Sequence, residues 1–265
     1  MTQVLAERRS LLFLPASNPR AITKARTLGV DAVVLDLEDA VRPEAKVEAR
    51  AAAVAAVAEA WSGAIGIRVN GLASEWHGAD VAAVAASRAD FVVVPRTDGP
   101  AVIAEVATLT GKPVAAMIET PAGVIHAPAI AREAAALIAG TNDLRAELRI
   151  PPGSGRTPLF AALQMTVLAA RAAGIPVFDG VFNGLEDEDG LAAECAEGRA
   201  FGFDGKSLIH PAQVEACHAA WAPRPEELDR ARRLVAAASG GAERFEGAMI
   251  ERMHVEAARR LIERT

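Results

Sequence analysis

Charged side chains collect at the ends of short apolar runs in this chain, and most of them are carboxylates. Asp36, Glu38 and Asp39 follow the second such run. Arg68 and Asn70 close the third, Arg96 the fourth, Glu119 the fifth and Asp143 the sixth. Asp179, Lys206 and His210 stand at the ends of the last two. Carboxylates with no cysteine and little histidine make a hard-oxygen site, which selects Mg2+ or Mn2+ over zinc. Magnesium is usually held by one or two carboxylates and completes its shell with water and substrate oxygens. Glu119 and Asp143 end adjacent expected strands and are the candidate metal ligands. Arg68 beside them suits an anionic substrate, because a guanidinium meets a carboxylate as a two-pronged fork. Many barrel enzymes bind phosphate after strands seven and eight. Here that region reads Glu186-Asp187-Glu188-Asp189, so a small carboxylate is expected rather than a sugar phosphate.

Each residue also has a purely structural reading. Asp36, Glu38 and Asp39 could cap a helix, and Arg68 could be an ion-pair partner. Glu119-Thr120-Pro121 has the form of a helix start, where the dipole favours a carboxylate. Asn142 and Asp143 could be turn residues. His210, before Pro211, reads as an orienting or capping group, and His77, His126, His218 and His254 show no metal-ligand spacing. The shared position at strand ends is what supports the joint reading.

The elements that must position these groups form a train of β-α units. Strands are expected at 10–14, 31–37, 65–70, 91–95, 114–118, 136–139, 176–182 and 205–209. Helices are expected at 19–29, 43–60, 78–87, 101–109, 121–133, 158–173, 187–200 and 211–221. About eight such units in roughly 250 residues indicate an α/β fold of the (β/α)8 TIM-barrel type, with its active site at the C-terminal strand ends. An open doubly wound sheet binding a dinucleotide needs a Gly-rich turn after its first strand, and Pro15-Ala16-Ser17-Asn18 is not one. Two more helices, 225–238 and 254–264, fall outside the barrel count. The expected division is a catalytic barrel over 1–221 and a C-terminal helical extension over 222–265, free to pack on a neighbouring subunit or over the barrel mouth.

Composition narrows the function classes. The 265 residues carry a formal charge of −6, which argues against nucleic acid and against an anionic membrane surface as partners. With 8 Phe, 3 Trp and no Tyr, alanine and aliphatic residues must fill the core. No stretch reaches the roughly 18 uncharged apolar residues of a membrane span. The first nine residues lack the apolar core of a signal peptide. Cys195 and Cys217 fit no zinc motif, and a reducing cytoplasm is the default compartment.

The motifs, taken in order, resemble the citrate lyase beta subunit and its relatives among the HpcH/HpaI aldolase-like malyl- and citramalyl-CoA lyases. They are Arg9-Ser10-Leu11-Leu12-Phe13-Leu14-Pro15, Asp36-Leu37-Glu38-Asp39-Ala40-Val41 with Lys46 and Ala49-Arg50, and Arg68-Val69-Asn70. Ile118-Glu119-Thr120, Gly140-Thr141-Asn142-Asp143-Leu144 and Gly205-Lys206-Ser207-Leu208-Ile209-His210-Pro211 continue the match. The resemblance implies a barrel assembled as homotrimers or homohexamers. It implies Mg2+ on Glu119 and Asp143, Arg68 gripping an oxo-acid carboxylate, and Glu38 and Asp39 near the metal waters. Some relatives carry a catalytic Asp from a neighbouring subunit in a segment resembling Gly-x-Met-Ile-Asp. Here the segment reads Gly247-Ala248-Met249-Ile250-Glu251. Glu251 is longer by a methylene, and a placement error of about 1 Å can cost roughly 10²-fold in rate.

The expected reaction is a Mg2+-dependent retro-aldol or retro-Claisen cleavage of a citryl, malyl or citramalyl thioester to an acetyl thioester and an oxo acid. The thioester carrier, CoA or an acyl-carrier protein, is left open. Alternatives are a malyl-CoA-type thioesterase, a Schiff-base aldolase using Lys206, and a non-catalytic subunit that binds an oxo acid and an acyl-carrier partner.

Overall fold

Runs of Val, Ile, Leu and Ala, each four to six residues long, form most of a parallel barrel wall because both faces of each run are covered. The computed structural model describes residues 2–263. Its strands are β1 (Ser10–Pro15), β2 (Ala32–Asp36), β3 (Ala64–Arg68), β4 (Phe91–Val94), β5 (Val114–Ile118), β6 (Ala136–Ala139), β7 (Val177–Asp179) and β8 (Gly205–Leu208). They pair in that order and close β8 back onto β1, with Ser10 opposite Lys206. Around them run α1 (Pro19–Ala25), α2 (Lys46–Val57), α3 (His77–Ala85), α4 (Pro100–Thr110), α5 (Pro121–Glu133), α6 (Thr141–Glu147), α7 (Phe160–Ala173), α8 (Glu188–Phe201) and α9 (Gln213–Trp221). This is a (β/α)8 barrel, as the alternating runs predict.

Alternation along the strands sorts the core into two layers. Leu11, Phe13, Val34, Phe91, Val93 and Phe178 fill the barrel interior. Leu12, Val33, Leu35, Ile67, Val92 and Leu137 face outward and pack with helix residues such as Ile103 and Ile130. Small side chains let the layers close. A Cβ at Gly66 would lie 2.5 Å from the Phe91 ring.

The chain divides into two compact units, Met1–Trp221 and Ala222–Thr265. The second holds α10 (Pro225–Ala237), the antiparallel hairpin β9 (Glu243–Phe245) and β10 (Ala248–Ile250), and α11 (Arg252–Glu263). Its small core is Ala231, Leu234, Ile250 and Ala258.

Three features add to or differ from the sequence reading. The hairpin was not anticipated: its strands are only three residues each, and Glu246 and Gly247 both take φ > 0 (48° and 84°), as a tight two-residue hairpin turn requires. Helix α6 occupies Thr141–Glu147, where turn residues are the simplest reading of Gly-Thr-Asn-Asp. Strand β7 stops at Asp179 rather than running to 182. A Cβ at Gly180 would meet the Thr141 side chain at 2.5 Å, so the chain leaves the sheet there against the start of α6.

Candidate active site

Strand parity decides which charged residues enter the barrel. Asp36 follows interior Val34 by two residues, and Arg68 follows Gly66 in the same way. The two lie opposite each other in the β2–β3 register. Arg68 Nε and Nη2 donate to the two Asp36 oxygens, both at 2.7 Å. Arg68 Nη1 lies 2.8 Å from Glu38 Oε2 and 3.9 Å from Asp39 Oδ2. The Glu38 contact is off the hydrogen-bonding line, so that buried oxygen has no hydrogen bond. The guanidinium also lies 5.4 Å from the Phe13 ring centroid and 3.7 Å from Met117 Sδ. Burial opposes its charge, but Asp36 and then Glu38 and Asp39 more than compensate, so its pKa rises.

The loop after β2 is held from below. Asp36 accepts from the Glu38 and Ala40 N–H groups at 2.8 and 3.0 Å. Buried Lys46 donates to Leu37 O, Glu38 O and Asn70 Oδ1, each at 2.7 Å. Asn70 in turn donates to Asp80, which pairs with Arg50. Lys46 and Asn70 therefore serve as the frame of the Glu38 loop. The Glu38-Asp39-Ala40-Val41 motif with Lys46 contained this signal without revealing its geometry.

Glu119 and Asp143 arrive from β5 and α6. Glu119 is 2% exposed. Burial raises its pKa to about 7; the Arg96 N–H, which donates to Oε1 at 2.5 Å, opposes the rise, and Asp143 adds to it. Gly140 makes room for it, since a Cβ there would fall 2.3 Å from Glu119 Oε2. Asp143 sits in the first turn of α6, half-buried, and burial together with Asp39 pushes its pKa up. Glu38 is pushed up to about 8 by burial; Arg68 opposes this, while Asp39, Glu119 and Asp36 add to it.

Asp36, Asp39, Arg68, Glu119 and Asp143 line one cavity of about 340 Å3 at the C-terminal strand ends, floored by Phe13 and Met117. Glu38 and Asp39 also border a cleft of about 760 Å3, with Lys46, Trp76, Arg96 and Val102. Of the residues expected at the mouth, Asp36, Asp39, Arg68, Glu119 and Asp143 share the smaller cavity, Glu38, Asn70 and Arg96 line the neighbouring cleft, and the others lie apart. Asp179 and Lys206 alternate out of the barrel and are sealed beneath α8, where Lys206 Nζ meets Asp179 Oδ2 at 3.1 Å and Glu194 Oε1 at 2.7 Å. A Schiff-base lysine must reach substrate, and Lys206 is 0% exposed on the wrong face of its strand. His210 accepts from the Ala212 N–H at 3.2 Å, which is a capping contact. Glu251 belongs to the second unit, where its N–H donates to His254 Nδ1 at 3.0 Å.

The mouth fits a hard divalent cation. Its donors are all oxygens, its carboxyls raise one another's pKa, and Gly140 leaves space at Glu119. No group of three His, Cys, Asp or Glu side chains able to hold a metal occurs among the described residues. An ion on Glu119 and Asp143 therefore needs water or substrate to fill its shell, which is the habit of magnesium.

The sequence matches the model of the HpcH/HpaI aldolase/citrate lyase family over residues 9–211. The chain belongs to this family. Among relatives, it is 40% identical to a (3S)-malyl-CoA thioesterase of Cereibacter sphaeroides, covering 96% of this chain and 93% of that protein. It is 33% identical to the citrate lyase subunit beta of Escherichia coli, covering 97% and 93%. A solved structure of the protein CitE from Mycobacterium tuberculosis, in complex with magnesium, acetoacetate and coenzyme A, superposes with a TM-score of 0.87 at 30% identity, covering 98% of each chain. The family match ends within the barrel unit, before α10 begins. No helix among the described residues is long and apolar enough to cross a membrane.

Proposed function

We propose that this protein is a magnesium-dependent enzyme acting on a small 3-hydroxy-acyl thioester of the malyl type. The observation that carries this reading is Arg68. It is a buried guanidinium facing the cavity that Glu119 and Asp143 also line, too small for a large acid but suited to an oxo- or hydroxy-acid end. Magnesium bound there supplies Lewis-acid stabilisation of negative charge developing on an oxygen. Arg68 fixes the substrate carboxylate and orients the acyl chain. Glu38, whose pKa is lifted to about 8, exchanges a proton with the reacting hydroxyl or water, with Asp39 beside it. CoA is the preferred thioester carrier, supported by the CoA-bearing relative; an acyl-carrier protein is the alternative.

Thioester hydrolysis is the leading reading of the reaction, supported by the malyl-CoA thioesterase at 40% identity. Water adds to the thioester carbonyl, the carbon–sulfur bond breaks, and the thiolate leaves with a proton. Carbon–carbon cleavage is the second reading, supported by the citrate lyase beta likeness. There the 3-hydroxyl loses its proton to a base, the C2–C3 bond breaks, and the acetyl thioester enolate takes a proton back. Glu251, and packing of the 222–265 unit on a neighbouring subunit of a homotrimer or homohexamer, complete the proposal.

The test is a product assay on the full chain with malyl-, citramalyl- and citryl-CoA, with Mg2+ and with EDTA. Free CoA and malate released only with metal support hydrolysis, whereas acetyl-CoA and an oxo acid support cleavage. Turnover that survives EDTA overturns the metal dependence, and no turnover by a folded protein overturns the reading as a free-standing enzyme.

A further inference from the structure

Arg96 touches both candidate metal carboxylates, by two different parts of itself. Its main-chain N–H donates to Glu119 Oε1. Its guanidinium Nη1 lies 3.6 Å from Asp143 Oδ1, and Nη2 hydrogen-bonds Glu147, one turn along the same face of α6. Its backbone is left-handed, with φ at 46°, a conformation that is uncommon outside glycine. Strain of this kind persists only where surrounding contacts over-determine it. The contacts are present: the next residue, Thr97, is 0% exposed, with its N–H on Met117 O at 3.2 Å and its hydroxyl on Val94 O at 3.1 Å. Beyond it, Asp98 accepts from Thr120 Oγ1, which ties the β4 loop to the N-terminus of α5. A Cβ on Gly123 would lie 2.6 Å from Thr97 O, so α5 packs directly on this loop.

We propose that Arg96 is a positioning residue of the carboxylate pair, its strained main chain fixing Glu119 while its guanidinium is a tethered cation that shares Asp143 with an incoming divalent metal. This rests on the metal reading given above. The half-exposed guanidinium already holds Glu147 through Nη2, so it can release Asp143 as a metal arrives while the N–H anchor stays in place. The site is thereby preshaped when empty, and its metal affinity is held below what the carboxylates alone would provide.

The two roles separate in two variants. Arg96→Gly keeps the N–H, accommodates the left-handed backbone and removes the cation. Arg96→Val removes the cation and also disfavours the backbone conformation, since β-branched residues avoid positive φ. Mn2+ alone is titrated into the full chain, with free ion read by electron paramagnetic resonance and Mg2+ added in competition. Arg96→Gly is expected to bind Mn2+ about threefold more tightly, the scale of one screened charge near the ion. Arg96→Lys returns toward the parent. Arg96→Val binds about tenfold or more weaker than Arg96→Gly, as loss of a ligand-orienting partner does. An Arg96→Gly affinity equal to or below the parent's overturns the tethered-cation role, and equal affinities in Arg96→Gly and Arg96→Val overturn the anchoring role. Glu119→Gln is the separate control: Mn2+ binding that survives it overturns the metal reading and this proposal together.

Discussion

The barrel wall carries two buried ion clusters on opposite sides of the same sheet. At the ends of β2 and β3, Asp36 and Arg68 point inward, and Glu38 and Asp39 crowd the same guanidinium. At the ends of β7 and β8, Asp179 and Lys206 point outward and are joined by Arg156, Glu194 and Glu197. The outer cluster sets two cations against three carboxylates, and Lys206 Nζ is satisfied by Asp179, Glu194 and the Gly180 carbonyl. The inner cluster sets Arg68 against three carboxylates and adds Glu119 and Asp143 at the same mouth, with only the half-exposed Arg96 guanidinium beside Asp143. Burial, with the neighbouring carboxylates adding to it, lifts two of its carboxyl groups to about 7 and about 8. Buried charge that its neighbours nearly balance holds structure together. Buried charge left in excess beside a cavity awaits a cation or a proton, and such perturbed groups collect at functional sites.

The contrast is broken or sharpened by experiment. Lys206→Met leaves Asp179 without its lysine and is expected to cost about 3–5 kcal/mol of stability, read by urea unfolding. Turnover per folded molecule should be unchanged; a loss of turnover in a fully folded sample would place Lys206 in the reaction. Arg68→Lys keeps the inner charge but loses the fork that grips Asp36 and a substrate carboxylate together. It should lower kcat/KM by about 10²-fold, with a smaller change in unfolding midpoint. A variant within threefold of the parent would remove Arg68 from substrate orientation. Gly140→Ala pushes Glu119 from its seat and should weaken Mn2+ binding by about 10–100-fold, measured by calorimetry.

The smallest effect is one of pH. The folded chain holds protons on Glu38 and Glu119 up to about pH 8 and 7, where the unfolded chain, with ordinary carboxyls near 4.5, has released them. Their contribution to stability is therefore fully present below about pH 4.5 and is lost as pH rises through 7 and 8. Cation binding needs the deprotonated carboxylates, so affinity should climb across pH 6–8 by at most about tenfold per unit for each proton released. A flat affinity profile would mean that the surplus charge is neutralised some other way.

Much of the barrel could be read before the fold was seen. Strand β5, helix α5 and strand β6 match their expected bounds, 114–118, 121–133 and 136–139. Val114–Ile118 is an unbroken apolar run. Thr120 caps α5 by accepting from the Gly123 N–H at 2.9 Å, and Pro121 sits where its missing N–H is no loss. The mouth residues Arg68, Glu119 and Asp143 were legible for the same local reason, standing where apolar runs end. Helix α6 was not, because Gly-Thr-Asn-Asp is turn-like by itself and becomes helical with Thr141 packed on Gly180. The frame beneath Glu38 was equally hidden, since Lys46 reaches carbonyls and an asparagine up to 24 residues away.

Local pattern was enough to specify the β-α train, the barrel class and the chemical character of its rim, because propensity, capping and hydrophobic period are properties of neighbouring residues. Closure of the sheet decided the rest. It assigned Asp36 and Arg68 to the cavity and Asp179 and Lys206 to the sealed outer layer, because a one-residue change in parity turns a side chain to the other face. It also brought the Arg96 N–H to Glu119, 23 residues on, and so made a strained loop part of the candidate metal site.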